Sequence, residues 1–307
     1  MLTWVSLPQH GVARTSRVCT AENRLQNLKK IEIYRDLEKQ IQTQVALGNY
    51  NLAVFQLTTQ LLRLNPEYYT IWNIRRRCLL YTVLSRSEDQ PASNAQDDRF
   101  DEKQQDSDES SLQSELSFTV PLLIKSPKCY WIWNYRWWIL HKQFADCPFK
   151  RPVRYGRLLD RDQRNFHAWG YRRSVVSMLE SPELRGKSLA QEEFAFTTRM
   201  IGRNLSNFSA WHHRSQLFLK VIAEQNCNDE ARAAFLRQEL DTVREGLNLG
   251  PEDQSLWYYH QFLTSQIVKD GDRDTIAPAL TVAERVAYMK HEIYEIKDLL
   301  EDYINVK

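Results

Sequence analysis

One short text recurs five times along the 307-residue chain, and it restricts the fold more than any other feature. The copies are NPEYYTIWNIRR from Asn65, SPKCYWIWNYR from Ser126, RNFHAWGYRR from Arg164, SNFSAWHHR from Ser206 and PEDQSLWYYH from Pro251. Four copies contain W-x-x-R, at Trp72/Arg75, Trp133/Arg136, Trp169/Arg172 and Trp211/Arg214; the fifth reads W-x-x-H, at Trp257/His260. Positions i and i+3 share one helix face, so each pair sits on a single stripe of a helix. Trp spacings of 61, 36, 42 and 46 residues fit a two-helix unit stacked on copies of itself.

The flanking text supplies the other helix of each unit. Leu52, Phe55, Leu57, Leu61 and Leu62 follow a helical period before Pro66. Ser188 with Gln191 reads as a capping box, followed by Phe194, Phe196, Met200 and Ile201. A third helix covers Asp229 to Leu249, and a last one opens at Thr281 with Glu284 at its third position. Asn65, Asn165 and Asn207 stand in the connecting turns, where they serve as caps. Trp supplies apolar surface between hairpins, and the Arg beside it pairs with a carboxylate of a neighbouring unit.

Composition agrees. Nine Trp against only nine Gly and ten Pro leave little for a turn-rich sheet fold. The net charge of +2 hides a division. Residues 86–116 hold ten acids and three bases, while the remainder is basic, which suits an acidic partner or an anionic ligand. That run is rich in Ser and Gln and reads as a disordered insert. Residues 1–16 read as a flexible extension without a secretory pattern, and 17–307 as one helical repeat domain. Between His141 and Leu158 the text contains Pro148, Pro152 and Gly156, so the first helix of the third unit must be short. Five scattered cysteines without a C-x-x-C pair point to a reducing, cytoplasmic setting. No stretch reaches 18 apolar residues. There is no Gly-rich phosphate loop and no Ser/His/Asp signature. Seven dispersed histidines make no metal site, since His212 and His213 are adjacent and diverge by about 100° around a helix.

The repeated text resembles the protein prenyltransferase α-subunit repeat, whose hallmark is P-x-x-x-x-x-W-x-x-R, with Pro66, Pro127 and Pro251 at the proline position. Its wording is most similar to α subunits of type II (Rab) geranylgeranyltransferases of the fungal form. The resemblance implies an all-α fold, a right-handed α-α superhelix of helical hairpins embracing a catalytic β subunit. It implies that zinc and the isoprenoid pocket belong to that β subunit and that this chain binds no cofactor. It further implies transfer of geranylgeranyl from its diphosphate to C-terminal cysteines of Rab GTPases presented by an escort protein. By the same resemblance Lys128, five residues before Trp133, reaches the diphosphate, with Tyr130 and His167 at neighbouring inward positions. Two alternatives stand beside this reading. One is the α subunit shared by farnesyltransferase and type I geranylgeranyltransferase. The other is a non-enzymatic helical-repeat scaffold, whose usual 34-residue period matches less well.

Overall fold

The computed structural model describes residues 20–82, 98–146, 156–225, 227–268 and 275–306. Every regular element among them is helical. The chain divides into two compact units, 1–146 and 147–307.

The first unit holds α1 (Ala21–Ala46), α2 (Leu52–Leu64), α3 (Tyr69–Thr82), α4 (Asp98–Lys125) and α5 (Tyr130–Asp146). Helix α1 packs on α2, α2 on α3, α4 on α5, and α3 on α5. The second unit holds α6 (Gly156–Arg161), α7 (Phe166–Leu179), α8 (Ala190–Arg203), α9 (Phe208–Glu224), α10 (Asp229–Leu249), α11 (Gln254–Val268) and α12 (Val282–Val306). Here α6 pairs with α7, α8 with α9 and α10 with α11, while α11 also touches α9 and α12.

Five hairpins, α2/α3, α4/α5, α6/α7, α8/α9 and α10/α11, are each closed by a connector of four residues. In four of them the last connector N–H donates to the first connector carbonyl: Cys129 to Ser126, Asn165 to Asp162, Asn207 to Asn204 and Asp253 to Gly250, at 3.0–3.1 Å. The tryptophan locks the same turn from the helix side. Its indole Nε1 donates to the carbonyl six residues upstream in every copy: Trp72 to Pro66 (2.8 Å), Trp133 to Pro127 (2.9 Å), Trp169 to Gln163 (2.8 Å), Trp211 to Leu205 (2.7 Å) and Trp257 to Pro251 (2.7 Å). A buried indole needs an acceptor, and this turn carbonyl provides it. Proline suits the position because only its C=O is used. Asn165 and Asn207 cap α7 and α9 by accepting from Ala168 and Ala210.

The motif cations form a buried polar ladder. Arg75 meets Glu115 of α4 through two bonds of 2.7 Å, Arg172 meets Glu193 of α8 (2.8 and 2.5 Å), and Arg214 meets Glu239 of α10 (2.8 and 2.6 Å). His260 stands 2.9 Å from Glu292 of α12, which Arg244 also engages. Glu115, Glu193 and Glu239 therefore each lie on the first helix of the following hairpin, and each meets the residue two after the next Trp. Tyr135 donates to Glu115 and Tyr259 to Glu239, both at 2.7 Å, and His213 lies 3.2 Å from Glu193. Those same side chains pack on the preceding Trp: Tyr135 on Trp72 (4.7 Å), His213 on Trp169 (5.4 Å) and Tyr259 on Trp211 (4.5 Å between centroids). Thr58 and Thr59 complete the shell of Arg75, as Thr197 and Thr198 do for Arg214. Arg136 donates to the Leu116 carbonyl at 2.9 Å and to Thr119.

Two local differences from the sequence expectations have physical causes. Helix α4 begins at Asp98, so the expected disordered insert 86–116 is helical from 98 onward; residues 86–97 lie outside the described residues. Leu112 and Leu116, one turn apart, are buried, and Glu115 between them is the partner of Arg75. Packing and an ion pair thus order a segment whose composition alone favours solvation. The Ser188–Gln191 box does not form. Helix α8 starts at Ala190, and Glu180 accepts from the Leu189 N–H (2.7 Å) while Lys220 holds its other oxygen (2.6 Å). The loop between has Arg185 at φ 48°. At Gly186 a Cβ would fall 1.7 Å from the Leu179 carbonyl oxygen, so no larger residue fits. Helix α6 has only six residues, and 147–155 before it lie outside the described residues, as do 1–19 with Trp4.

Candidate functional site

Side-chain bonds hold the connector 126–129 at two points. The Pro127 carbonyl takes the Trp133 indole bond. Cys129 is buried and its Sγ–H donates to the Pro66 carbonyl at 3.3 Å, the oxygen that Trp72 also uses. Burial pushes the Cys129 thiol up to about 11, so it remains a neutral donor. Lys128 stands between these anchored neighbours with its side chain exposed, directly before the 17-residue helix α5. Tyr130 is the first residue of α5 and is about half exposed. Its ring meets Trp131 edge-on at 5.2 Å, and Trp131 lies 5.2 Å from Tyr69 of α3. Lys128 and Tyr130 thus share one end of one helix. A lysine and a phenol beside a helix N-terminus, which itself carries partial positive charge, can engage an anion.

His167 belongs to the second unit, at the second position of α7, half-buried and edge-on to Phe166 at 5.7 Å. The remaining motif residues, Trp72, Trp133, Trp169, Trp211, Arg75, Arg136, Arg214 and His260, are buried, and Arg172 and Trp257 are half-buried. They hold hairpins together and offer nothing to a ligand.

Two features escaped sequence reading. Tyr69, Tyr130, Phe166 and Phe208 occupy the same place, three residues before the motif Trp, and all four are exposed. The signal was in the aligned copies. Arg76 of α3 is the second. It is half-buried and donates to Asn73 (3.0 Å) and Asn134 (2.5 Å), 5.7 Å from the rings of Tyr135 and Trp138. Burial lowers its pKa, and no carboxylate pairs with it among the described residues. Nothing in the local text distinguishes it from the motif arginine it follows.

Among the described residues no group of three or more His, Cys, Asp and Glu is placed to hold a metal ion. His213 points inward to Glu193, and its neighbour His212 stacks on Phe208 (6.1 Å, 10° between planes), so the two do not converge. No described helix is long and apolar enough to cross a membrane.

Comparison with known proteins agrees with the repeat geometry. The family described as "Protein prenyltransferase alpha subunit repeat" matches residues 52–82, 112–143, 155–179, 190–221 and 236–267. Each span falls on one described hairpin: 52–82 and 155–179 cover α2/α3 and α6/α7 end to end, 190–221 covers nearly all of α8/α9, and 112–143 and 236–267 begin inside α4 and α10. The chain is 34% identical to "Geranylgeranyl transferase type-2 subunit alpha" of Candida albicans, over 94% of this chain and 82% of that one. It is 32% identical to the Saccharomyces cerevisiae protein of the same name, over 84% and 73%. The pig protein of that name is 32% identical over 81% of this chain but only 40% of its own length. Among solved structures, "Candida albicans protein geranylgeranyltransferase-I complexed with GGPP" aligns with a TM-score of 0.57 at 22% identity, over 78% of this chain and 68% of that one, and is alike in fold.

Proposed function

The chain belongs to the family of geranylgeranyl transferase type-2 alpha subunits, and from that premise we propose how it works in the enzyme. It is the α subunit of a protein geranylgeranyltransferase and acts in a complex. Its partner is a catalytic β subunit that carries the zinc ion and the isoprenoid pocket. The substrates are geranylgeranyl diphosphate and the C-terminal cysteines of Rab GTPases, delivered by an escort protein in the cytoplasm. The observation that carries the reading is the match to type-2 alpha subunits over nearly the whole chain.

In the reaction the C1–O bond of geranylgeranyl diphosphate breaks, the cysteine sulfur bonds to C1, and diphosphate leaves. Negative charge grows on the leaving oxygen as the bond lengthens, and cations or donors fixed there lower the barrier. Lys128 supplies the cation and Tyr130 a hydroxyl donor beside it, on a turn already held by Trp133 and Cys129. Because that turn is prepaid by folding, little reorganisation accompanies the charge. By the family resemblance His167, on α7, is a further donor. The hairpin ladder serves the reaction indirectly, by keeping these side chains in place.

Co-expression tests the proposal. The chain purified alone should transfer no geranylgeranyl group. With a type-2 β subunit it should modify a Rab in the presence of escort protein. A pure complex that leaves the Rab unmodified would overturn the reading.

A further inference from the structure

The pattern of the sequence gives the Ser188 hydroxyl a capping role, and the fold leaves it at the surface instead. Helix α8 starts at Ala190, and Leu189 precedes it without a side-chain cap. Glu180 takes the Leu189 N–H. Ser188 keeps two long bonds: its hydroxyl donates to Glu180 Oε1 at 3.4 Å and accepts from the Ala190 N–H at 3.3 Å. The serine is exposed, and so are Arg185 and Lys187, three residues and one residue before it. Neither cation has a carboxylate partner among the described residues. Residues 185–189 belong to no helix, and Leu189, directly after the serine, is half-buried.

We propose that Ser188 is a phosphorylation site for a protein kinase that selects arginine three residues before its acceptor serine, and that the phosphate displaces Glu180 from this loop. A kinase of that kind pairs the arginine with its own carboxylates, and a non-helical loop can enter its cleft where a helix cannot. In the transfer the Ser188 Oγ attacks the γ-phosphorus of ATP, the bond from that phosphorus to the β–γ bridging oxygen breaks, ADP leaves, and the hydroxyl proton passes to the kinase's catalytic aspartate. The same spacing occurs at one other serine, Ser206, three residues after Arg203. There both recognition groups are already engaged: Arg203 bonds Asp160, and the half-buried Ser206 hydroxyl donates to Asp253. The fold thus separates two serines that the sequence pattern treats alike. The consequence follows from charge. Glu180 latches the loop by accepting from the Leu189 N–H at 2.7 Å and from Lys220 of α9 at 2.6 Å. A phosphoserine carries about −1.5 to −2 at neutral pH. Carried on an oxygen 3.4 Å from Glu180 Oε1, it repels that carboxylate and competes with it for Lys220. The latch lies just past the end of α7, whose other end carries His167, and the inference is independent of the transferase chemistry.

The test incubates the full folded chain with ATP and the catalytic subunit of cAMP-dependent protein kinase, which has this arginine preference. Mass spectrometry should place a phosphate on Ser188 and leave Ser206 unmodified. Ser188→Ala should remove it. Arg185→Gln should slow incorporation by roughly tenfold, the scale of one charge-assisted bond. Denaturant unfolding then reads the latch. Glu180→Gln should lower the midpoint of the unmodified chain and lower that of the phosphorylated chain much less, because phosphate has already displaced the carboxylate. Lys220→Ala, at an exposed position, reads the same latch from its other side and should show the same contrast. No phosphate on Ser188, or phosphate only after the chain is unfolded, overturns the site. Incorporation indifferent to Arg185→Gln overturns the recognition. Equal drops in the modified and unmodified chains overturn the displacement of Glu180.

Discussion

Arg214 and Glu239 meet through two parallel bonds of 2.8 and 2.6 Å with both side chains almost wholly buried. The fork of a guanidinium matches a carboxylate in this way. Burial opposes the charge of Arg214, but the bond and field of Glu239 outweigh it and raise the pKa. Removing one partner strands the other in the core. Arg214→Ala should therefore cost about 3–5 kcal/mol, read as a lower midpoint in denaturant unfolding. Replacing both residues, as Arg214→Met with Glu239→Leu, should recover much of that loss. If the single and double variants unfold alike, the pair is not the joint between these hairpins.

The tryptophan lock makes a graded prediction. Trp211→Phe keeps an aromatic body but leaves the half-buried Leu205 carbonyl without the donor it has at 2.7 Å. The lost bond and the reduced volume together should cost about 2–3 kcal/mol. Trp257→Phe removes an equivalent bond at a half-buried position and should cost less. Equal losses at the two sites would show that the indole N–H contributes little.

Much of this lock was legible because it is local. The motif Trp and its acceptor are six residues apart, Asn165 and Asn207 cap helices that begin at the next residue, and Thr281 and Glu284 form their box within one turn. The partners of the arginines were not legible. Glu115 sits in a run of acids that composition assigns to solvent, and only Arg75, forty residues away, gives it a reason to be buried. Glu180 displaced the Ser188 box in the same way, by a contact across a loop. The threonine pairs Thr58/Thr59 and Thr197/Thr198, each three residues after a Phe, were a readable signal for the arginine shell. At the candidate site, the exposure of Lys128 and Tyr130 follows from their place in the turn. Under the proposed function, what they reach lies on a second chain, which no spacing in this one encodes.

The ladder also sets the acid limit of the fold. Burial works against ionised Glu193, yet hydrogen bonds from His213 and Arg172, with their charges, hold its pKa below the ordinary glutamate value. Glu292 is held down in the same manner by His260 and Arg244 against the same opposing burial. A depressed folded-state pKa contributes stability that is present above the unfolded-state value of about 4.3. That stability is lost as pH falls through the folded-state pKa. Stability should therefore be steady near neutrality and decline below about pH 4. Glu193→Gln should be less stable at pH 7 and show a shallower acid decline, measured by thermal unfolding across pH. An acid limb unchanged by this substitution would remove Glu193 from the linkage.

Lys128 separates positioning of the isoprenoid from chemistry on it. If its ammonium meets charge that develops only as diphosphate leaves, Lys128→Ala in the assembled enzyme should lower the single-turnover transfer rate by roughly tenfold or more, the scale of a lost transition-state donor. Affinity for geranylgeranyl diphosphate should change much less, because the isoprenoid is held mainly by its apolar chain. Lys128→Arg retains a cation at the same turn and should restore part of the rate. The connector is closed by Pro127, Cys129 and Trp133 rather than by Lys128, so the variant should unfold at the wild-type midpoint. Rate and affinity falling together would mean that Lys128 binds the ground state equally well, and an unchanged rate would place it outside the reaction.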